Sequence, residues 1–249
     1  MLKKTLLALT LVVAMALPAA AAQLTVSAAA SLTDAFTAVK AEFQKEHPGL
    51  TVNMNFAASG ALLSQMEQGA PVDVFASANQ KTMDKAIERK LIDTATRVNF
   101  AQNSLVLTVP AGNPAKVKDL DSLKAATVKT IAVGNPETVP AGNYTKIALT
   151  KAGVWDTLKA KYIMAESVRQ VLDYLMRGEV DAGFVYATDA FKGGKKVAIV
   201  AEIPLEKPVS YPIAVLGHAA NKKDGEAFIK FVTGPKGQEI LKKFGFKKP

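Results

Sequence analysis

The sequence predicts an α/β protein of two lobes, each a mainly parallel sheet flanked by helices, with a ligand cleft between them. Three observations carry this. Short β-branched runs alternate with amphipathic stretches from Gln23 onward, which is the pattern of parallel sheets covered by helices. The chain is long enough, at 249 residues, for one large core or two smaller ones, and it has no cysteine, so apolar burial must carry its stability. Its last strand is followed by two further amphipathic helices, an ending that returns to the first lobe and leaves a cleft between the two.

The N-terminus stands apart from the fold. Lys3 and Lys4 precede an apolar run from Leu6 to Leu17, then Pro18 and Ala19 to Ala22. A basic start, a short apolar centre and a small-residue exit make residues 1–22 a signal peptide cut before Gln23, and the run is too short for the roughly 20 apolar residues of a membrane span. Without it the net charge falls from +9 to +7. The expectation is a protein exported across the cytoplasmic membrane.

Each element follows from its residues. Leu24 to Val26 is a strand; Leu32, Ala35, Phe36, Val39 and Phe43 then recur at helical spacing until His47-Pro48-Gly49 stops them. Val52, Met54 and Phe56 alternate as a second strand, a helix spans about 60–68, a third strand 72–76 and another helix 80–90. Strands are expected at 105–109, 130–133, 183–186 and 197–200, with helices near 141–152, 168–177 and 187–191. The late strand 211–216 precedes two helices split by Gly234-Pro235, whose apolar faces are Phe228, Phe231 and Val232, then Ile240, Leu241 and Phe244. Crossings near Asn103 and Lys207 divide the chain into lobe 1, residues 23–102 plus 209–249, and lobe 2, residues 103–208.

The positive charge does not mark a nucleic-acid surface. Only Arg89, Arg97, Arg169 and Arg177 are arginines, and the lysines are scattered through helical patterns without interleaved aromatics. A catalytic reading is also poorly supplied. There is no cysteine nucleophile, Ser59 lacks the glycine two residues before it that a nucleophile elbow requires, and His47 and His218 fall at a helix end and a strand exit. Asp34, Asp73, Asp181 and Asp189 are explained by solvation or capping.

Four strand-to-helix junctions share the chemistry of anion binding. Ser31, after Ala28-Ala29-Ala30, has Asp34 three residues on, a capping-box spacing. Ser59-Gly60 follows Ala57-Ala58; Val139-Pro140-Ala141-Gly142 places proline at a first helical position, with the amides of Ala141 and Gly142 free; Ser167-Val168 begins the fourth helix. Each start offers unpaired N–H groups at the positive end of a dipole. A lone serine before a helix is ordinarily a structural cap, and Tyr186 at the end of an apolar strand reads equally as a core aromatic. Both readings stand at this level.

The runs Ala28-Ala-Ala-Ser-Leu-Thr-Asp-Ala35, Phe56-Ala-Ala-Ser59, Gly69-Ala-Pro-Val-Asp-Val-Phe-Ala-Ser-Ala78, Asn103-Ser-Leu-Val106, Val139-Pro-Ala-Gly142 and Gly183-Phe-Val-Tyr-Ala-Thr-Asp189 resemble, in this order, the periplasmic molybdate-binding proteins of molybdate ABC transporters. The resemblance covers nearly all of the chain after residue 22 and implies a two-lobed periplasmic binding protein fold. It implies that Ser31 and Ser59 give amide and hydroxyl from one lobe, that Ala141 and Val168 give backbone amides from the other, and that Tyr186 gives its phenol there. It further implies a monomer in the periplasm that delivers molybdate, and tungstate, to an inner-membrane ABC permease. Neither a cofactor nor direct ligation of the metal is implied; molybdenum is held as molybdate through its oxygens. Some relatives add a carboxylate near the metal, whereas Tyr186 favours plain tetrahedral binding. Carriage of sulfate, phosphate or another oxyanion keeps the same fold.

Overall fold

A computed structural model describes residues 22–249, and the expected signal peptide falls outside the described residues except for Ala22. The first sheet holds β1 (Ala22–Ala29), β2 (Leu50–Ala57), β3 (Val74–Ala76), β4 (Val98–Asn103) and, from the far end of the chain, β10 (Val209–Val215), in the order β2-β1-β3-β10-β4. The second holds β5 (Leu105–Pro110), β6 (Ile131–Gly134), β7 (Tyr162–Ala165), β8 (Ala182–Tyr186) and β9 (Val197–Glu202), in the order β7-β6-β8-β5-β9. Helices α1 (Thr33–Glu46), α2 (Ser59–Glu67), α3 (Gln80–Glu88), α7 (Lys222–Thr233) and α8 (Pro235–Lys243) accompany the first sheet in sequence, and α4 (Pro140–Lys151), α5 (Val168–Arg177) and α6 (Ala187–Gly193) the second.

Each sheet is parallel except for one strand. β10 runs antiparallel to β3 and β4, and β5 antiparallel to β8 and β9. Parallel neighbours need a long crossover between them. β5 enters the second sheet from β4 after Ser104 alone, and β10 enters the first after residues 203–208, which hold no helix, so no crossover helix sets either direction.

The ending does return to the first sheet. Phe228 of α7 is fully buried and meets Phe36 and Phe43 of α1 edge-on, with ring centroids 5.9 and 5.2 Å away. Phe231 and Phe244, expected on the buried faces, are only half-buried, while Ile229 and Phe246 are buried. Two strands escaped the periodicity reading. β4 carries three amide side chains among its six residues, and β7 is a four-residue edge strand whose Ile163 and Met164 stay exposed.

Strand register brings the junctions together. β1 and β2 pair in parallel so that Ala29 faces Ala57, and Ser31 and Ser59 each follow two residues beyond that pair. β1 also pairs Ala28 with Ala76 of β3, two residues before Ala78. In the second sheet β6 pairs Gly134 with Ala165 of β7 and Ala132 with Gly183 of β8, so the starts of α4 and α5 and the end of β8 share one edge. Ligand sites of open α/β sheets lie outside the carboxyl ends of the strands, and here two such edges face each other.

Candidate functional site

Ser31, Ser59, Ala141, Val168 and Tyr186 all line one cavity of about 10 Å³, together with Ala29, Ala30, Ala58, Ala78, Val139 and Pro140. That is close to the room one water molecule needs. No charged side chain is among those lining it. A wider groove shares Val139 and Pro140 but is lined by Glu67, Lys81, Lys85 and Glu88, and the five candidate residues do not converge there.

The two serines are not caps. Ser31 sits in a 3-10 turn (Ala30–Leu32), α1 starts after Leu32, and neither start has a side-chain cap bond. The expected capping box with Asp34 is therefore absent. Ser59 is the first residue of α2, capped by no side chain, with Ala58 before it. Its oxygen accepts from the backbone N–H of Ala78 at 3.0 Å, which leaves its hydroxyl proton to donate. Ser167, by contrast, is a true cap, accepting from Gln170 N at 3.2 Å and leaving Val168 as the first residue of α5. Ala141 follows Pro140 at the start of α4; neither Ala141 nor Val168 has an intrahelical acceptor for its amide at such a position.

Tyr186 is 1% exposed, and among the described residues its phenol donates only a long 3.4 Å contact, to Ala78 O from across the cleft. Burial, reinforced by Tyr211, Tyr144 and Asp189, pushes its pKa well above the ordinary phenol value, so it remains a protonated donor. Two further contacts close the cleft. Gly60 N donates to Thr138 O at 2.9 Å, an approach that a side chain would prevent, since a Cβ on Gly60 would lie 2.6 Å from that oxygen. Arg169, next to Val168, pairs with Asp34 and donates to Ser31 O at 3.2 Å, while its Nε lies 2.7 Å from Asp189.

This ion network holds its charges outside the cavity. Asp34 also pairs with Lys192 at 2.7 Å; burial works against its charge, but Lys192 and Arg169 outweigh that and lower its pKa. Asp189 is fully buried, and burial raises it to about 6 despite the attraction of Arg169. Sequence reasoning assigned no role to Arg169, Ala78 or Gly60. Gly60 alone left a signal, as a glycine directly after a junction serine.

Residues 24–247 match the family described as bacterial extracellular solute-binding protein. The chain belongs to that family. It is 45% identical over 231 residues to the molybdate-binding protein ModA of Escherichia coli (strain K12), covering 90% of this chain and 88% of the relative, and 37% identical to ModA of Haemophilus influenzae over 92% and 91%. Among solved structures, the periplasmic molybdate-binding protein of Azotobacter vinelandii superposes with a TM-score of 0.80 at 26% identity, covering 91% of this chain and 99% of that one. The sulfate-binding protein SubI of Mycobacterium tuberculosis, with a TM-score of 0.78 at 18% identity over 91% and 87%, shares the fold. The chain is accordingly a two-lobed solute-binding protein and not an enzyme.

Proposed function

We propose that this protein captures molybdate, and also tungstate, as a fully deprotonated tetrahedral dianion and delivers it to an inner-membrane ABC permease. It acts as a periplasmic monomer after removal of residues 1–22. The observation that carries the reading is the convergence of Ser31, Ser59, Ala141, Val168 and Tyr186 on one cavity lined by no acidic and no basic side chain. A dianion without protons wants donors only. Backbone amides and hydroxyls supply them without a counter-charge, whereas hydrogen phosphate also needs an acceptor for its proton. The molybdate-binding relatives support the choice of ion. We further propose that the lobes divide as 23–102 plus 209–249 and 103–208, a division supported by the passage between sheets at Ser104 and after Glu202.

Size selects among the bare dianions, since sulfate has shorter bonds and would leave donors out of reach, while tungstate is nearly the size of molybdate. A thermal-shift panel tests this. Molybdate and tungstate should each add about 4 kcal/mol at roughly 1,000 times the dissociation constant, with sulfate and phosphate doing little at the same concentration. An equal response to sulfate would reassign the protein as a general oxyanion carrier.

A further inference from the structure

We infer that Tyr211, oriented by Asn103, fixes the Ser31 hydroxyl as a donor and thereby sets the site against protonated oxyanions; this rests on the oxyanion reading above. The chain of bonds starts at a group with only one possible direction. The backbone N–H of Ser104 can only donate, and it donates to Asn103 Oδ1 at 3.0 Å. The amide of Asn103 is thus oriented with its nitrogen as the donor, to Thr188 Oγ1 at 2.8 Å and to the Tyr211 phenol at 3.2 Å. Having accepted from Asn103, the phenol has one proton to give, and its other partner among the described residues is Ser31 Oγ at 3.0 Å.

The reverse arrangement, Ser31 donating to Tyr211, would strand the phenol proton. Tyr211 is fully buried and Ser31 and Asn103 nearly so, and a buried donor without an acceptor is strongly disfavoured. With its oxygen occupied by the Tyr211 proton, Ser31 keeps its own proton for the cavity it lines. Tyr211 does not line that cavity, so it is a positioning residue. Ala78 does the same for Ser59 with its backbone N–H, a donor that replacing the Ala78 side chain, proline apart, leaves in place.

The test replaces Tyr211 with Phe. The ring, packed edge-on against Tyr186 and Phe246 and tilted steeply to Phe100, is kept and only the relay proton is lost. Molybdate is titrated into the purified protein, with sulfate, which carries no proton near pH 7, and inorganic phosphate, which carries at least one, as competitors. Tyr211→Phe should weaken molybdate and sulfate about three- to tenfold while phosphate does not weaken, so the sulfate-to-phosphate affinity ratio falls by that factor. In a Ser31→Ala background the same substitution should change neither affinity, because the hydroxyl it orients is gone. An unchanged ratio, or an equal loss in the Ser31→Ala background, overturns the relay alone. If Tyr211→Phe does not fold, Ser31→Ala decides by itself: loss of a hydroxyl held as a donor weakens sulfate more than phosphate, and equal weakening overturns the inference. A wild type that binds none of the three anions overturns both the relay and the oxyanion reading.

Discussion

Tyr186 is where packing and ligand contact overlap most. Its ring lies 5.9 Å from that of Tyr211 in a buried, edge-on pair, yet its hydroxyl has no short hydrogen bond among the described residues. Tyr186→Phe keeps the packing and removes the donor. Molybdate affinity should drop about 10- to 150-fold, the equivalent of about 1.5 to 3 kcal/mol, with the ligand-free melting temperature nearly unchanged. Isothermal titration of both proteins checks it, and equal affinities would make Tyr186 a core residue only. Asp189 gives a prediction of pH dependence. Its value of about 6 lies above its ordinary 3.8, so the native state holds the proton more tightly than the unfolded chain. That contribution is complete below about pH 3.8 and lost as pH rises through about 6. The melting temperature of wild type relative to Asp189→Asn should therefore fall between pH 4 and pH 7, and a flat difference would refute the assignment.

At the scale of elements, the junctions do different work although their sequences look alike. Ser167 caps α5, so Ser167→Ala should lose about 1 kcal/mol of stability, whereas Ser31 and Ser59 follow, two residues on, strand ends that parallel pairing sets side by side. The start of α2 offers the sharper experiment. Gly60 abuts Thr138 of the opposite lobe, and no positive φ requires a glycine there. Gly60→Ala should hold or raise ligand-free stability, by up to about 1 kcal/mol through helix propensity, while blocking the approach of the lobes. Molybdate affinity is expected to fall about tenfold or more. Unchanged affinity with unchanged melting would show that this contact is not part of the binding state.

Across the whole molecule, the contacts that span the cleft among the described residues include Gly60 to Thr138, Tyr186 to Ala78, Arg169 to Asp34 and Ser31, and Lys192 to Asp34. The lobes are joined by Ser104 and by the segment between β9 and β10, so a rigid-body hinge can act there. Ser31, Ser59, Ala141, Val168 and Tyr186 are all buried between the two sheets, so entry of an anion to them requires the lobes to part. Small-angle scattering should show the protein becoming more compact as molybdate saturates it. A profile that does not change at saturation would mean that the two halves do not move on binding.

Alternation of strand and helix, the amphipathic faces and the small residues before Ser31 and Ser59 determined the α/β class and pointed to the junctions, because these depend on local periodicity and on how closely a backbone can be approached. The strands β4 and β7 were hidden because an edge strand need not bury a full apolar face, and their pairing comes from neighbours distant in sequence. The direction of β5 and β10, the fate of Asp34 and the role of Arg169 were likewise decided only by tertiary structure. Asp34 has a capping spacing along the chain, but Arg169, 135 residues away, offers its carboxylate a full charge where the helix start offers only partial ones. The direction of the Ser31 proton is the extreme case. It depends on Ser104, Asn103 and Tyr211, which meet where the chain passes between sheets, and a hydrogen bond's polarity is set by its partners and not by the residue that carries it.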